Sequence, residues 1–253
     1  MHILEGRKLV KIYGKEAEVH ALRNVNFNLP EGQFAAIMGP SGSGKSTLMH
    51  MLAGLDKLSS GEVYLAGKNI TSMNDRELTL LRREEVGFIF QSFNLLPMFT
   101  AEDNILMPLT LAGKKVDKKW FQFLVSLLGL DQRLKHRPSE LSGGQQQRVA
   151  IARALINKPK IVFADEPTGN LDSSSSKEVL SLLRYLTEKQ GQTVLMVTHD
   201  PVAASYADRV LILADGEICE DLIKPSPNEL SSIMAKRQTS RSRADEAGAI
   251  LGE

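Results

Sequence analysis

The nine residues GPSGSGKST at 39–47 constrain this chain more than any other stretch. They follow the apolar run FAAIM and lead into the helical pattern STLMHMLAGL, so they form a glycine-rich turn between a strand and a helix. The spacing fits G-x-x-x-x-G-K-[ST]. Gly39, Gly42 and Gly44 let the backbone wrap phosphate groups with its N–H groups pointing inward, and Ser41, Ser43 and Thr47 complete the loop. Lys45 then reaches β- and γ-phosphates, and the Ser46 hydroxyl is offered to Mg²⁺. A plain Gly/Ser turn is the bland alternative, and the strand before and helix after speak against it.

The rest of the chain reads as an α/β fold. Three more short apolar runs each end in polar residues: VGFIF into Gln91, KIVFA into Asp165 and Glu166, and TVLMVT into His199. Helical stretches at 117–129 and 173–190 lie between such runs. Continuous apolar strands alternating with helices predict a parallel sheet covered on both faces, with ligands beyond the carboxyl ends of its strands. All four polar ends would then share one rim. Upstream, KLVKIY, ALRNVNFNL and GEVYLAGKNI alternate more and are separated by turns, which predicts an antiparallel β portion near the N-terminus.

Composition narrows the functional classes. Net charge is +1 over 253 residues, so there is no electrostatic footprint for nucleic acid. The single Cys219 excludes an intramolecular disulfide framework, and no apolar run approaches the roughly 18–20 residues that span a bilayer. No signal peptide is evident at the N-terminus. A cytoplasmic chain is expected. From Lys224 onward the sequence turns polar and predicts at most a short helix around 227–236, then a mobile tail.

Within the rim, Asp165 ends a strand where a carboxylate can hold Mg²⁺, and Glu166 follows where it can orient or deprotonate an attacking water. An Asp-Glu pair before proline is otherwise a common solvated turn. Gln91 can touch metal or water and sense a γ-phosphate, and His199 can hydrogen-bond that phosphate. Taken singly, each is more often structural. Tyr13, in KIYG, can stack on an adenine ring, although a core tyrosine is the default. The stretch LSGGQQQRVAIARAL at 141–155 opens a second helix with Ser142, Gly143, Gly144 and Gln145, a second phosphate cradle in a chain that looks built for one nucleotide.

GPSGSGKST, LSGGQ, IVFADE, NLD at 170–172 and THD at 198–200 occur in the order found in the ATPase subunits of ABC transporters, which the chain resembles over roughly residues 2–223. The resemblance implies an ATP-binding domain over 1–223 with a P-loop NTPase core, a helical signature subdomain at about 92–155 and a polar tail at 224–253. It implies ATP with Mg²⁺, and a homodimer in which each LSGGQ caps the γ-phosphate held by the partner. Asp172 would cross that interface. It also implies a separate integral-membrane permease, holding the subunit at the inner face of the membrane. That permease would dock on the apolar stretch after Gln91, with Phe93, Leu95, Leu96, Met98 and Phe99 as candidate contacts. The wording around these motifs resembles the branch of lipoprotein-release, macrolide-export and antimicrobial-peptide-resistance ATPases, without choosing among them. A non-transport ABC ATPase, or a regulatory or division ATPase on a membrane partner, is the alternative. Repair and chromosome members place a long coiled coil between the two cradles, whereas here about a hundred residues without heptads intervene.

Overall fold

The computed structural model describes residues 2–14 and 17–237. The elements run His2–Tyr13 (β1), Val19–Pro30 (β2), Phe34–Met38 (β3), Lys45–Leu52 (α1), Ser60–Leu65 (β4), Lys68–Asn69 (β5), Asp75–Glu85 (α2) and Val86–Phe90 (β6). Then come Ala101–Ala112 (α3), Lys118–Leu127 (α4), Gly143–Leu155 (α5), Ile161–Asp165 (β7), Ser173–Gln190 (α6), Thr193–Thr198 (β8), Pro201–Ala204 (α7), Arg209–Ala214 (β9) and Glu217–Ile223 (β10). Residues 227–237 form a last helix, α8.

Two sheets result. The N-terminal strands pair antiparallel in the order β2-β1-β4-β5, and the second sheet has the order β10-β9-β3-β8-β7-β6. In that second sheet β9, β3, β8, β7 and β6 run parallel, and β10 turns back antiparallel on β9. Every residue of β3 and β8 is buried. Alternation then assigns each to a face. Phe34, Ala36 and Met38 join the core under α3, α5 and α6, while Ala35 and Ile37 join the core shared with α1 and the antiparallel sheet. A strand buried on both faces needs a continuous apolar run, which is why FAAIM carries no polar residue.

The register aligns the strand ends. Met38 sits opposite Thr198, Asp165 opposite Val197, and Phe90 opposite Asp165. The loops leaving β3, β6, β7 and β8 therefore leave from one rim, as the sequence predicted.

Local chemistry sets the helix ends. Thr100 and Asp103 form a reciprocal capping box on α3, Ser142 and Gln145 another on α5, and Asp117 and Asp172 cap α4 and α6. The helix expected over 117–129 accordingly begins after its cap, at Lys118. The short helix expected around 227–236 is present as α8 and buries Leu230 and Met234 in the helix-side core, so packing continues beyond residue 223. The expected mobile tail after it lies outside the described residues.

One buried polar residue fixes the route out of β6. Asn104 is fully buried on α3, and its side chain accepts from the Leu96 N–H at 2.8 Å. Its amide donates to the carbonyls of Leu96, Phe99 and Thr100 at 3.2, 3.3 and 2.9 Å. Asn104→Ala strands these backbone groups, so we expect a loss of about 1–3 kcal/mol in stability. Urea denaturation measures it, with faster amide exchange at 94–100 as the local signature.

Candidate active site

The rim carries a cleft of about 850 Å³. Its floor is the loop after β3, and Gly39–Gly42 and Gly44–Thr47 line it. The glycines are required sterically. A Cβ on Gly39 would stand 2.0 Å from the Leu213 carbonyl, and one on Gly44, whose φ is 100°, would stand 2.4 Å from the Ala21 carbonyl. Ser43 is the one residue of the nine that does not line the cleft. It is 1% exposed and turned behind the loop, where its Oγ is buried without a hydrogen-bond partner, while its N–H donates to the Pro40 carbonyl.

Lys45 is 9% exposed, and its Nζ donates to the Pro40 carbonyl at 2.8 Å. Burial pushes its pKa down, and the nearby charges of Glu166 and Asp165 pull it partly back up. No carboxylate lies within ion-pair distance of that ammonium among the described residues. A buried cation facing an open cleft beside a glycine loop suits a multiply charged anion.

Asp165 ends β7 half-buried, and its carboxyl is raised above the usual range. Burial is the main cause and Glu166 adds to it, while His50 and Lys45 oppose it. A carboxyl so placed gains from a cation. Glu166 has a left-handed φ of 47°, an uncommon conformation for a residue with a side chain, and its N–H donates to the Val197 carbonyl at 2.9 Å. That twist separates it from Asp165. Its Oε1 lies 2.8 Å from Nδ1 of His199, and its Oε2 accepts from the Thr198 hydroxyl at 3.3 Å. Glu166 and His199 both line the cleft, and the His199 ring is largely exposed. Tyr13 also lines the cleft and is 41% exposed.

Asp165 and Gln91 are not among the residues lining this cleft. Gln91 is exposed and turns toward the loop after Glu166: its Nε2 donates to Asn170 Oδ1 at 3.4 Å, and Asn170 Nδ2 donates to its carbonyl at 3.0 Å. The second cradle also lies outside the cleft. Ser142–Gln145 pack instead beside the loop carrying Asp172, where a Cβ on Gly144 would meet the Ser175 hydroxyl at 2.8 Å. Asp172 accepts from the Ser174 and Ser175 N–H groups, both at 2.9 Å, and from the Ser175 hydroxyl at 2.7 Å. The Ser175 bonds hold its carboxyl below the usual range.

Several cleft residues escaped sequence reasoning. Val19, His20, Ala21 and Arg23 of β2, the Asp215-Gly216 turn and Met234 of α8 all line it. The Asp-Gly dipeptide is a readable turn signal, but nothing local says that this turn meets the phosphate loop. Gln147 was also missed. It is fully buried and donates to the Pro167 carbonyl, tying α5 to the segment after Glu166.

The apolar stretch after Gln91 is partly open: Met98 is 73% exposed and Leu96 and Phe99 nearly 40%, while Leu95 packs on the core. Beside it lies a groove of about 610 Å³, but its lining includes Phe90, Asn94, Met107, Pro108 and Leu111 and none of the five residues expected as contacts.

Residues 22–169 match the family model described as ABC transporter. An uncharacterized ABC transporter ATP-binding protein of Methanocaldococcus jannaschii is 50% identical over 225 residues, covering 88% of this chain and all of that protein. The macrolide export ATP-binding/permease protein MacB of Marinobacter nauticus is 47% identical over 222 residues, covering 87% of this chain but 34% of that longer one. Among solved structures, the ATP-binding cassette MJ0796, a dimer in a post-hydrolysis state bound to ADP and Pi, aligns with a TM-score of 0.80 at 42% identity, covering 88% of this chain and 99% of that one. The chain belongs to the ABC transporter family, as an ATP-binding cassette with ATPase activity.

Proposed function

We propose that this cassette, with Mg²⁺, hydrolyses ATP at two composite sites in a head-to-tail homodimer and thereby drives a separate membrane permease. The observation that carries the proposal is the separation of the two cradles. The glycine loop, Lys45, Glu166 and His199 share one cleft, while Ser142–Gln145 face elsewhere on the same chain. A second copy supplies what one copy cannot bring to its own cleft.

In this reading the loop N–H groups of Gly39–Thr47 and the Lys45 ammonium hold the β- and γ-phosphates, and the Tyr13 ring carries the adenine. Ser46, Asp165 and Gln91 hold Mg²⁺, which when bound neutralises charge on the phosphate oxygens. Gln91 reaches that position once its side-chain tie to Asn170 opens. Glu166 takes a proton from the attacking water as the water's oxygen bonds to the γ-phosphorus and the ADP oxygen leaves. His199 orients Glu166 through Nδ1, leaving Nε2 for a γ-phosphate oxygen. Ser142, Gly143, Gly144 and Gln145 cap the partner's γ-phosphate, and Asp172, tied to Gly144's neighbour Ser175, carries the state of one site to the other. Loss of the γ-phosphate removes the shared anion, and the dimer opens.

A permease is the proposed partner because the similar MacB combines ATP-binding and permease parts in one chain, and this chain matches 34% of it. Among the described residues no helix is long and apolar enough to cross a membrane. Export, lipoprotein extraction and peptide resistance are all compatible with this engine, whose place would be at the inner membrane face. The domain division follows the same reading: an ATP-binding body over 1–223, against which α8 also packs, with the helices between β6 and β7 as the signature part.

Glu166→Gln keeps size and hydrogen bonding but removes the base. Its hydrolysis rate should fall about 10²- to 10⁴-fold while ATP still binds, and the protein should accumulate as an ATP-bound dimer by size-exclusion chromatography. Wild-type turnover, or a monomer at saturating ATP and Mg²⁺, refutes the assignment.

Mixing tests the composite site itself. Ser142→Arg blocks the cradle, and Lys45→Ala cripples the phosphate loop, so each homodimer should be nearly inactive. A heterodimer places the intact Lys45 loop of one chain against the intact Ser142 cradle of the other, and activity should return to about half per heterodimer, as expected for one whole site of two in a symmetric pair. Nucleotide trapping read beside the rate separates an assembled but stalled site from an unassembled one. Full activity from dimerised Ser142→Arg alone refutes the composite site.

A further inference from the structure

A charged cluster stands directly behind Tyr13. Lys11, two residues earlier on β1, is 8% exposed, and its Nζ pairs with Asp56 Oδ2 at 2.9 Å and donates to the Lys57 carbonyl at 2.6 Å. The same Asp56 oxygen accepts the Tyr13 hydroxyl at 3.0 Å, while Oδ1 accepts from the Lys57 N–H at 2.7 Å. The Lys11 ammonium also lies 4.5 Å from the centre of the Tyr13 ring. The turn bearing Asp56 is itself laced to β1: Ser59 N–H donates to the Val10 carbonyl at 2.9 Å, and the Ile12 N–H donates to the Ser59 hydroxyl at 2.9 Å. Tyr13 lines the cleft, and neither Lys11 nor Asp56 does.

This arrangement exceeds what a surface tyrosine needs. Its hydroxyl is tied at one end, a cation backs its face, and the cation is fixed by two further bonds. An otherwise free aromatic side chain loses rotamer freedom when a ring stacks on it, and holding it beforehand removes that loss from binding. A cation on one face also draws ring electron density toward itself, so the opposite face is better suited to an electron-rich purine.

We propose that Lys11 and Asp56 are positioning residues for the nucleobase: together they lock Tyr13 as a one-sided platform whose free face receives adenine. The inference rests on the reading of Tyr13 as the adenine platform. It adds that the platform's affinity comes from an ion pair, buried at Lys11 and exposed at Asp56, that lies outside the cleft lining. The clamp also joins β1 of the antiparallel sheet to the turn following α1, the helix that starts at Lys45, so base site and phosphate site share one support.

The test compares ATP with inorganic tripolyphosphate, which keeps the phosphates and lacks the base, by calorimetry on the full chain. Lys11→Met and Asp56→Asn should each weaken ATP binding about three- to tenfold, in the range set by immobilising one side chain, and leave tripolyphosphate within about twofold. KM for ATP should rise more than kcat falls, and Lys11→Arg should restore most of the ATP affinity. In a Tyr13→Ala background Lys11→Met should add nothing, since the platform is already gone. Equal weakening of ATP and tripolyphosphate means that the cluster supports only the fold, and overturns the proposal. Unchanged ATP affinity in Lys11→Met and Asp56→Asn, with weakening in Tyr13→Ala, overturns it while leaving the platform intact. Unchanged affinity in Tyr13→Ala overturns the platform and the positioning role together. Should Lys11→Met fail to fold, Asp56→Asn at its exposed position carries the same comparison.

Discussion

Two sheets in this protein meet where no side chain fits. The loop leaving β3 is pressed between the end of β9, through the Leu213 carbonyl against Gly39, and β2, through the Ala21 carbonyl against Gly44. The Gly216 N–H donates to the Ser43 carbonyl at 3.1 Å, and the Arg23 N–H donates to the Gly216 carbonyl at 2.8 Å, so the loop is also stitched to the turn between β9 and β10 and to β2. The absence of Cβ atoms brings backbone within reach of backbone, and the same absence leaves inward N–H groups uncovered for phosphate. The phosphate site is thus the junction of the antiparallel and parallel sheets. Its shape cannot change without moving one sheet on the other.

A second support works through α5. At its N-terminus Gly144 lies against Ser175, which bonds to Asp172. At mid-helix the buried Gln147 donates to the Pro167 carbonyl in the segment after Glu166. Further along, the guanidinium of Arg153 donates to the carbonyls of Asn94 and Phe93 at 2.5 and 2.7 Å, holding two consecutive residues with left-handed φ just beyond Gln91. Burial lowers the Arg153 pKa, so these charge-assisted bonds offset a desolvation penalty. One helix therefore touches the segment carrying Asp172, the loop after Glu166 and the segment after Gln91. A displacement at any of the three has a mechanical route to the others, which suits an enzyme whose hydrolysis must be felt by a partner.

Legibility followed sequence distance. Asp165, Glu166 and His199 could be read because each ends a strand, and parallel register puts strand ends on one rim. The helix start at Ser142 was legible, whereas the capping bonds of Ser142 and Asp172 emerged only in the structure, although a cap acts within three residues. Eight of the nine loop residues line the cleft, and nothing in GPSGSGKST says which side chain faces back. Phe93, Leu95, Leu96, Met98 and Phe99 were expected as contacts from the resemblance and the apolarity of their stretch, and the neighbouring groove is lined instead by residues of β6, α2, α3 and α5 that converge only in three dimensions.

The sequence by itself determined the strand–loop–helix of the phosphate site, the fully apolar central strands and the order of the motifs, because each depends on neighbours a few residues apart. It also marked two glycine-rich helix starts, at 39–47 and 142–145. Tertiary structure alone decided that they face apart, since the direction of α5 relative to the cleft is set by Gln147, Gly144 and Arg153 packing on segments 20 to 60 residues away. It likewise decided that α8 returns to place Met234 in the cleft wall, and that Lys11 and Asp56, 45 residues apart, close behind Tyr13. Local propensity acts over a turn or two, whereas long-range contacts are selected by burial and by the need to pair every buried polar group. Those requirements are met by the whole fold and are not written in any one segment.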